Sequence, residues 1–255
     1  MVEIKTSGEL DAMREAGRVV GRALAAMKDA VAPGVRLTEL NEIAATILKE
    51  SKATSAFLNY QPAFAPTPFP AVICASVNDV IVHGIPDRYQ VRDGDLLTID
   101  FGAYLDGWAG DAAFSTIVGT GSAEDLRMID VAGEALEAAI KAAVPGNRLG
   151  DVEHAVGQVG RAAGYGIMDD FGGHGIGRHM HEPPFVRNEG RPGRGLVLRP
   201  GLTLAIEPMF VSGGSGSYYA AADGWGLRSS DGTRAVHVEH TVAITDDGPR
   251  ILTLP

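Results

Sequence analysis

An internal repeat constrains the fold of this 255-residue chain more than any other feature of its sequence. Residues 33–37, Pro-Gly-Val-Arg-Leu, return 112 positions later as residues 145–149, Pro-Gly-Asn-Arg-Leu. The helix-like stretch before each copy also matches at that offset, at glycine, alanine and leucine positions. Chance similarity between alanine-rich helices is the alternative, but the five-residue element is not alanine-rich. A period near half the chain predicts two related halves, about 1–120 and 121–255, within one domain of residues 1–255.

Helix signals flank both copies of the repeat. Residues 7–31 carry apolar side chains at helical spacing, and Thr6 followed by Glu9 predicts a capping box at their start. Thr38 is predicted to cap the second helix and Ser122 the third, and the Pro-Gly pairs end the first and third helices. The predicted helices cover residues 7–31, 38–52 and 122–144 and a stretch from about Gly150.

Strand-like sequence follows each helix pair. Asp106-Gly107 stands between two β-rich runs, which predicts a two-residue hairpin turn. We therefore predict an α+β fold, in which antiparallel strands of both halves form a central sheet and the helices pack outside it. The predicted strands lie within Ala71–Ile81, Asp95–Gly102, Trp108–Val118, Leu202–Val211 and Ala235–Thr245.

Composition excludes several kinds of site and partner. Cys74 is the only cysteine, so the chain forms no internal disulfide and no four-cysteine zinc site. A formal net charge of −10 argues against a nucleic-acid or anionic-membrane partner. No apolar stretch reaches membrane-spanning length, and the N-terminus has no secretory signal pattern. We expect a soluble protein of a reducing, intracellular compartment.

Two aspartates of the predicted hairpin indicate a cation site. A turn at Asp106-Gly107 places Gly102 opposite Asp111, and Asp100 shares the face of Gly102 because side chains alternate along a strand. Their strand neighbours are apolar, so both carboxylates lose hydration and repel each other unless a cation lies between them. The alternative is that one of them caps the hairpin or faces water.

The same pattern recurs in the second half of the chain. Glu207 and Glu239 are each a lone acid in an apolar, β-rich run, and glutamate is rarely buried without a partner. His174 lies in Gly-Gly-His-Gly-Ile-Gly, where glycines leave the imidazole unhindered. A phosphate-binding loop is the weaker alternative, because no Lys-Ser/Thr follows. Four carboxylates and one imidazole suit a pair of divalent Mn, Fe, Co or Zn ions.

The remaining histidines leave alternatives open. His83 at a strand end and His181 before Glu-Pro-Pro are candidates for function, but each is also compatible with an ordinary satisfied side chain. His237 shares a strand face with Glu239, so it either supports the predicted ligands or is a neutral substitution. His240 is predicted to pack on the opposite face. The histidines predicted to lie on the surface are His154 and His179.

The ordered motifs together resemble type I methionine aminopeptidases, a metallopeptidase family with the pseudo-two-fold pita-bread fold. Each motif is short, but their order and spacing cover essentially the whole chain. The matching runs are Ile4-Lys5-Thr6, Met13-Arg14-Glu15-Ala16-Gly17, Ser76-Val77-Asn78, His83-Gly84-Ile85-Pro86, Ile99-Asp100, Gly110-Asp111, Gly173-His174-Gly175-Ile176-Gly177, His181-Glu182, Ile206-Glu207-Pro208-Met209, Asp223-Gly224-Trp225 and Glu239-His240-Thr241.

The resemblance implies a single catalytic domain with a two-metal centre, which removes the N-terminal methionine when the second residue is small. It implies that Glu207 shuttles the proton of the attacking water, that His181 contacts the substrate carbonyl, and that His83 lies near the scissile nitrogen. The resemblance further implies that the substrates are the N-termini of peptides and of nascent chains at the ribosome. It also implies that the protein is a monomer and lies in the cytoplasm. The implied metal ligands are Asp100, Asp111, His174, Glu207 and Glu239, with Asp111 and Glu239 bridging. The implied substrate pocket comprises Tyr60, Phe69, Cys74, His83, Met180, His181 and Trp225.

Two departures from the family pattern stand out. A proline-rich run, Gln61 to Pro68, is inserted where a pocket wall is expected. Val236-His237-Val238 precedes Glu239 where an Ala-Gln-aromatic triplet is usual.

Three other classes of protein are alternatives to this resemblance. Prolidases and aminopeptidase P carry a large N-terminal domain, whereas the catalytic pattern begins near residue 1 here. Type II methionine aminopeptidases carry a long helical insertion between the regions of His181 and Glu207, where this chain has only a short segment. A non-catalytic binding protein of the same fold should have lost metal ligands.

Overall fold

A computed structural model describes residues 2–63, 65–168 and 170–255 of the chain, so Phe64 of the predicted insertion lies outside the described residues. The helices are α1 (Ser7–Ala30), α2 (Leu37–Glu50), α3 (Ala123–Ala142) and α4 (Leu149–Ala163). The strands of the first half are β1 (Thr54–Ser55), β2 (Cys74–Val77), β3 (Val80–Val82), β4 (Leu96–Leu105) and β5 (Trp108–Ile117). Those of the second half are β6 (Gly166–Ile167), β7 (Gly172–Gly175), β8 (Glu182–Arg187), β9 (Thr203–Ile206), β10 (Met209–Val211), β11 (Tyr218–Ala220), β12 (Leu227–Ser229), β13 (Ala235–His237), β14 (Glu239–Thr245) and β15 (Gly248–Ile251).

The repeated element has the same structure in both halves. Its glycines, Gly34 and Gly146, have φ values of 95° and 91°, a region that side chains rarely adopt. Its arginines each form an isolated antiparallel bridge, Arg36 to Gln90 and Arg148 to Val197. The sequence repeat is therefore a repeat of backbone conformation, not a chance match between helices.

The helix caps follow the sequence with one exception. At the start of α1, the backbone N–H of Thr6 donates to the Glu9 carboxylate at 2.9 Å, and that of Glu9 donates to the Thr6 hydroxyl at 3.4 Å. Ser122 caps α3 as predicted. The predicted cap at Thr38 is wrong, because α2 already begins at Leu37. Glu39 instead accepts the backbone N–H of Arg36 at 2.6 Å, which satisfies that exposed donor at the helix start.

Antiparallel pairing across both halves builds the central layer. Nine strands form one sheet in the order β1-β4-β5-β14-β9-β7-β8, with β2 beside β4 and β15 beside β14. The two halves meet where β5 pairs with β14. This confirms the predicted α+β fold with a central antiparallel sheet, and α1 packs across β4 and β5. That residues 1–120 and 121–255 are related halves of one catalytic domain stays a prediction.

Each half has its own hydrophobic cluster. In the first half, α1 and α2 pack on β4 through fully buried side chains such as Met27, Leu40 and Phe101. In the second half, α3 and α4 cover a cluster that includes Met128 and Phe210. Along the described residues, no helix combines the length and apolar character needed to cross a membrane.

Three predicted strands are each divided in the structure. The run Ala71–Ile81 splits into β2 and β3 at Asn78, which has a φ of 57°. The run Leu202–Val211 splits into β9 and β10 around Glu207-Pro208, and the run Ala235–Thr245 splits into β13 and β14 at Val238. β9 and β14 lie in the nine-stranded sheet, whereas β10 and β13 pair in a separate three-stranded sheet with β6. Since proline has no backbone N–H to donate to a neighbouring strand, Pro208 marks where the chain leaves the main sheet. This corner between two sheets carries part of the candidate site.

Candidate metal centre

Strand register places three of the four lone acids on one face of the main sheet. Asp100 of β4 pairs with Ala113 of β5, which pairs with Glu239 of β14, so the two acids flank Ala113 in one row. Gly102 pairs with Asp111 as predicted, two residues along from that row, so Asp111 points to the same side. The predicted hairpin is confirmed, with Asp106 and Gly107 both at positive φ as a type I′ turn requires.

A second row brings in the imidazole and the fourth acid. His174 of β7 pairs with Ala205 of β9, which pairs with Thr241 of β14. Thr241 lies two residues from Glu239, and Glu207 lies two residues from Ala205, so all point to the same side of the sheet. Residues from β4, β5, β7, β9 and β14 thus converge, although they are far apart in the chain.

Side-chain distances bring these groups within reach of shared cations. His174 Nε2 lies 3.8 Å from Asp111 Oδ2 and 3.8 Å from Glu207 Oε1. Among the described residues, two sets of three donor atoms lie within 4.8 Å of one another. One set comprises Asp111, His174 and Glu239, and the other comprises Glu207, His237 and Glu239.

Burial makes the acid cluster costly without a cation. Asp111 is 4% and Glu239 2% exposed, and Asp100 Oδ1, Asp111 Oδ1 and Glu239 Oε1 have no hydrogen-bond partner in the described part of the chain. Burial raises the pKa of Asp100 to about 7, and burial with the neighbouring acids raises the pKa of both Asp111 and Glu239 well above ordinary values. Unpartnered, buried carboxylate oxygens beside an imidazole fit the donor set of divalent metal ions.

Glu207 differs from the other three acids. Burial alone would raise its pKa, but the neighbouring imidazoles of His237, His174 and His181 outweigh burial and lower it. Its Oε1 faces His174 at 3.8 Å and its Oε2 faces His237 at 3.4 Å. In turn, Glu207 outweighs the effect of burial on His237 and raises the pKa of that imidazole. Glu207 is therefore the acid of the cluster that is held ionised by its surroundings.

A cavity of about 540 Å³ opens onto the acid cluster. Six of the seven predicted pocket residues line it, namely Tyr60, Phe69, Cys74, His83, His181 and Trp225. Cys74 pairs with Asp100 in the sheet, which explains its place beside the acids. Other residues that line the cavity were not predicted from the sequence, among them Phe57, Phe171, Phe185 and Met209. Phe171 and Met209 each lie within three residues of a predicted ligand, which is the signal that would have found them.

Met180 occupies a different place from that predicted. It is 4% exposed and does not line the cavity. Its methyl carbon packs where a side chain at Gly102 would otherwise lie, beside Phe57. The space left by the absent side chain of Gly102, opposite Asp111, is thus filled by Met180, which packs on the sheet face of the acids beside Phe57, a residue of the cavity lining.

The described residues of the inserted proline-rich run do not line the cavity but support its wall through Trp225. The carbonyl of Thr67 accepts the indole N–H of Trp225 at 3.0 Å, and the Trp225 ring lies edge-on to Phe69 with centroids 5.0 Å apart. Pro66 packs against the backbone of Gly224, close enough that a side chain there would collide with it. The described residues of the insertion therefore hold the Trp225 loop against the cavity.

Two cavity histidines are held in place by the surrounding backbone and rings. His83 has a φ of 61°, a left-handed conformation, and its ring lies 6.2 Å from that of Trp225. His181 lies between the rings of Tyr60 and His174, with centroid distances of 5.4 and 4.4 Å. Burial lowers the pKa of both His83 and His181 to about 4. Both imidazoles are consequently neutral at neutral pH.

A buried ion pair anchors the segment that carries His181. Lys5 Nζ lies 2.8 Å from Glu182 Oε2, and both side chains are at most 9% exposed. Glu182 Oε1 also accepts the backbone N–H of His179 at 3.0 Å. The N-terminal segment before α1 is therefore tied to the residue next to His181.

The other histidines lie away from the cluster. His179 is exposed as predicted, whereas His154 on α4 is partly buried. His240 points away from Glu239, as predicted, and its Nδ1 lies 2.8 Å from the Thr253 hydroxyl.

Comparison with known proteins agrees with this geometry. The sequence pattern of metallopeptidase family M24 matches residues 11–246. Methionine aminopeptidase 1 of Mycobacterium tuberculosis is 50% identical over 261 residues, covering 100% of this chain and 96% of that protein. Methionine aminopeptidase of Clostridium acetobutylicum is 42% identical, covering 100% of this chain and 99% of that protein.

Solved structures show the same fold. Methionine aminopeptidase from Thermotoga maritima superposes with a TM-score of 0.95 at 38% identity, over 100% of both chains. Prolidase from Pyrococcus furiosus superposes with a TM-score of 0.76 at 23% identity and is covered over only 65% of its length, so it shares the fold alone. The predicted pita-bread fold is confirmed, and the chain belongs to metallopeptidase family M24 and, within it, to the methionine aminopeptidases.

Proposed function

We propose that this chain is a two-metal aminopeptidase that removes the N-terminal methionine from peptides whose second residue is small. The observation that carries the proposal is a buried cluster of four carboxylates and imidazoles at the end of a cavity lined by aromatic side chains. The relatives that match along the full chain support the same reaction. A non-catalytic role is disfavoured because none of the five predicted metal ligands is missing.

The cluster is suited to activating water against a peptide bond. Asp100, Asp111, His174, Glu207 and Glu239 would hold two divalent ions, with Asp111 and Glu239 between them. Such ions lower the pKa of a water molecule towards neutrality and polarise the carbonyl that it attacks. Because its surroundings keep Glu207 ionised, we assign to it the acceptance of the proton from the attacking water. The donor set suits divalent Co, Mn, Fe or Zn.

The two neutral histidines have separate proposed roles. A neutral imidazole donates one N–H, so His181 can donate to the substrate carbonyl as negative charge develops on its oxygen. His83 lines the same cavity beside Trp225, where it can orient the scissile nitrogen or assist its departure. Neither role requires a change of charge near neutral pH, since both pKa values are about 4.

The cavity has the chemistry of a methionine pocket. Thioethers make favourable contacts with aromatic rings, which Tyr60, Phe69 and Trp225 provide. Cys74 adds a sulfur atom, and burial raises the pKa of its thiol well above its ordinary value, so it stays uncharged. The pocket assignment is thus Tyr60, Phe69, Cys74, His83, His181 and Trp225, without Met180.

Replacing His181 by alanine is expected to lower kcat by about 100-fold with little change in KM, because one hydrogen-bond donor to the developing charge is lost. Release of methionine from Met-Ala-Ser by the metal-loaded enzyme provides the measurement. His181→Asn, which retains an N–H donor, should recover part of the loss. A KM effect without a kcat effect would place His181 in ground-state binding only.

Second-residue preference tests the proposed function directly. Met-Ala-Ser should be cleaved at least about 100-fold more efficiently in kcat/KM than Met-Leu-Ser, since a larger second side chain must fit beside the metal centre. Leu-Ala-Ser serves as the control for the methionine pocket and should also be poor. Equal rates for the two methionine peptides would contradict the proposed specificity. If protein with two bound metal ions released no methionine from either peptide, the proposed function itself would be wrong.

The cellular setting belongs to the same proposal. We infer that the substrates are the N-termini of nascent chains at the ribosome, in the cytoplasm, and that the chain acts as a monomer. The net charge of −10 does not favour direct contact with ribosomal RNA, so we assign no nucleic-acid binding to the chain itself.

A further inference from the structure

His237 lies where both sheets meet the acid cluster. It ends β13, two residues before Glu239, and its side chain is 2% exposed. Ser115 of β5 holds its backbone from both directions, because the Ser115 hydroxyl donates to the His237 carbonyl at 2.7 Å and accepts its N–H at 3.1 Å. The backbone of His237 is consequently held in place where its buried side chain faces the acid cluster.

The ring nitrogen of His237 faces two of the predicted metal ligands. Nε2 lies 3.4 Å from Glu207 Oε2 and 3.7 Å from Glu239 Oε2. Both separations exceed the usual N–H···O distance of roughly 2.7–3.2 Å. Among the described residues, Nε2 makes no hydrogen bond of ordinary geometry, although its 3.4 Å contact with Glu207 raises the pKa of the imidazole. A buried imidazole nitrogen that faces two carboxylates in this way is not explained by packing alone.

The same separations suit donors around one cation. Ligand atoms about 2.0–2.2 Å from a tetrahedral divalent ion lie roughly 3.3–3.6 Å from one another. Glu207, His237 and Glu239 form one of the two donor sets, and Asp111, His174 and Glu239 form the other. Glu239 belongs to both, so each set has one imidazole of its own and shares one carboxylate.

We propose that His237 is a sixth ligand residue of the metal centre, supplying a second imidazole through Nε2. The inference rests on the two-metal centre proposed above and adds to it a donor that replaces the glutamine usual at this position. With His237 included, each donor set contains one nitrogen. This composition favours Zn, Co or Fe over Mn, because imidazole suits the former ions better.

Nuclear magnetic resonance with ¹¹³Cd²⁺ tests the proposal without relying on activity. The chain is labelled with ¹⁵N in its histidine rings and loaded with two equivalents of ¹¹³Cd²⁺. A ring nitrogen bonded to the metal is split by scalar coupling to ¹¹³Cd, whereas a nitrogen that only hydrogen-bonds to a ligand is not. Two split histidine resonances are expected, one lost in His174→Gln and the other in His237→Gln.

His240→Gln is the matched control, since His240 is partly buried in the adjacent strand but faces Thr253 instead of the cluster. It should leave both couplings unchanged. Calorimetric titration of the same variants with Zn²⁺ should show at least about 10-fold weaker binding of one ion in His237→Gln and none of this loss in His240→Gln. If only the His174 resonance is split by ¹¹³Cd, the assignment of His237 as a ligand is overturned. His237 would then be a positioning residue for Glu207, and the proposed metal centre would stand without it.

Discussion

Replacing His174 by alanine is expected to reduce the turnover of Met-Ala-Ser by about 1000-fold or more. His174 supplies the only imidazole of its donor set, beside Asp111 and Glu239. A bound metal ion contributes several kcal/mol to stabilising charge in the transition state, and each 1.36 kcal/mol or so corresponds to a tenfold change in rate. Loss of the nitrogen ligand should loosen one ion and remove most of that contribution. The measurement is methionine release by protein that has been chelated and then reloaded with two equivalents of metal.

The matched control for this experiment is His179→Ala, five residues along the same segment. His179 is exposed, and its contacts to Gly177 and Glu182 are made by its backbone. Its substitution should leave turnover within about twofold of the original, as is usual for exposed side chains. Near-original turnover of the reloaded His174→Ala protein would contradict the assignment of His174 as a ligand.

Removing the metal ions is expected to lower the melting temperature, and the loss should grow between about pH 6.5 and pH 8. Asp100, Asp111 and Glu239 each have a pKa raised chiefly by burial, to about 7 for Asp100. A raised carboxyl pKa means that the folded state holds its proton more tightly than the unfolded chain does. The free energy of unfolding therefore falls as pH rises through the folded-state pKa.

The chosen pH window separates this effect from that of the histidines whose pKa is lowered. Desolvation lowers the pKa of His83, His181 and His240 to about 4, so their contribution to stability rises with pH only up to their ordinary value near 6.5. Above that pH the carboxylates contribute together with His237, whose pKa is raised by Glu207 and whose contribution also falls as pH rises. Each kcal/mol lost lowers the melting temperature by roughly 2–4 °C in a chain of this size.

Bound cations remove the repulsion, so the metal-loaded protein should show a much flatter profile over the same window. Thermal melts followed by circular dichroism, with and without chelator, provide the comparison. Asp100→Asn should flatten the profile of the metal-free protein, whereas Asp106→Asn, an exposed acid at the tip of the same hairpin, should not. Identical melting curves before and after chelation across the window would contradict a buried, cation-dependent cluster.

Local sequence patterns determined much of the architecture. The Pro-Gly-x-Arg-Leu repeat, the capping box at Thr6 and the Asp106-Gly107 turn each depend on backbone preferences within a few residues, and all three appear in the structure. The face shared by Asp100 and Asp111 follows from the turn, because a two-residue hairpin leaves only one register. Lone acids in apolar strands were also visible, since such residues are costly to bury without a partner.

Other features depended on contacts between distant segments. The cap of α2 moved from Thr38 because an isolated bridge to Gln90 holds Arg36 extended. Met180 does not line the cavity because its methyl group fills the space over Gly102, between Phe57 and the sheet. Neither contact partner lies near its counterpart in sequence, so no local pattern could indicate the outcome.

By itself, the sequence determined the repeated halves, the antiparallel hairpin and the identity of the acids and imidazole that belong together, because those depend on alternation, turn chemistry and the cost of burying charge. Only the tertiary structure decided how these groups meet. Pro208 and Val238 take adjacent strands out of the main sheet at one corner, and that corner brings Glu207, His237 and Glu239 together. The physical reason is that the site depends on strand pairing across the sheet, and this pairing joins residues more than a hundred positions apart.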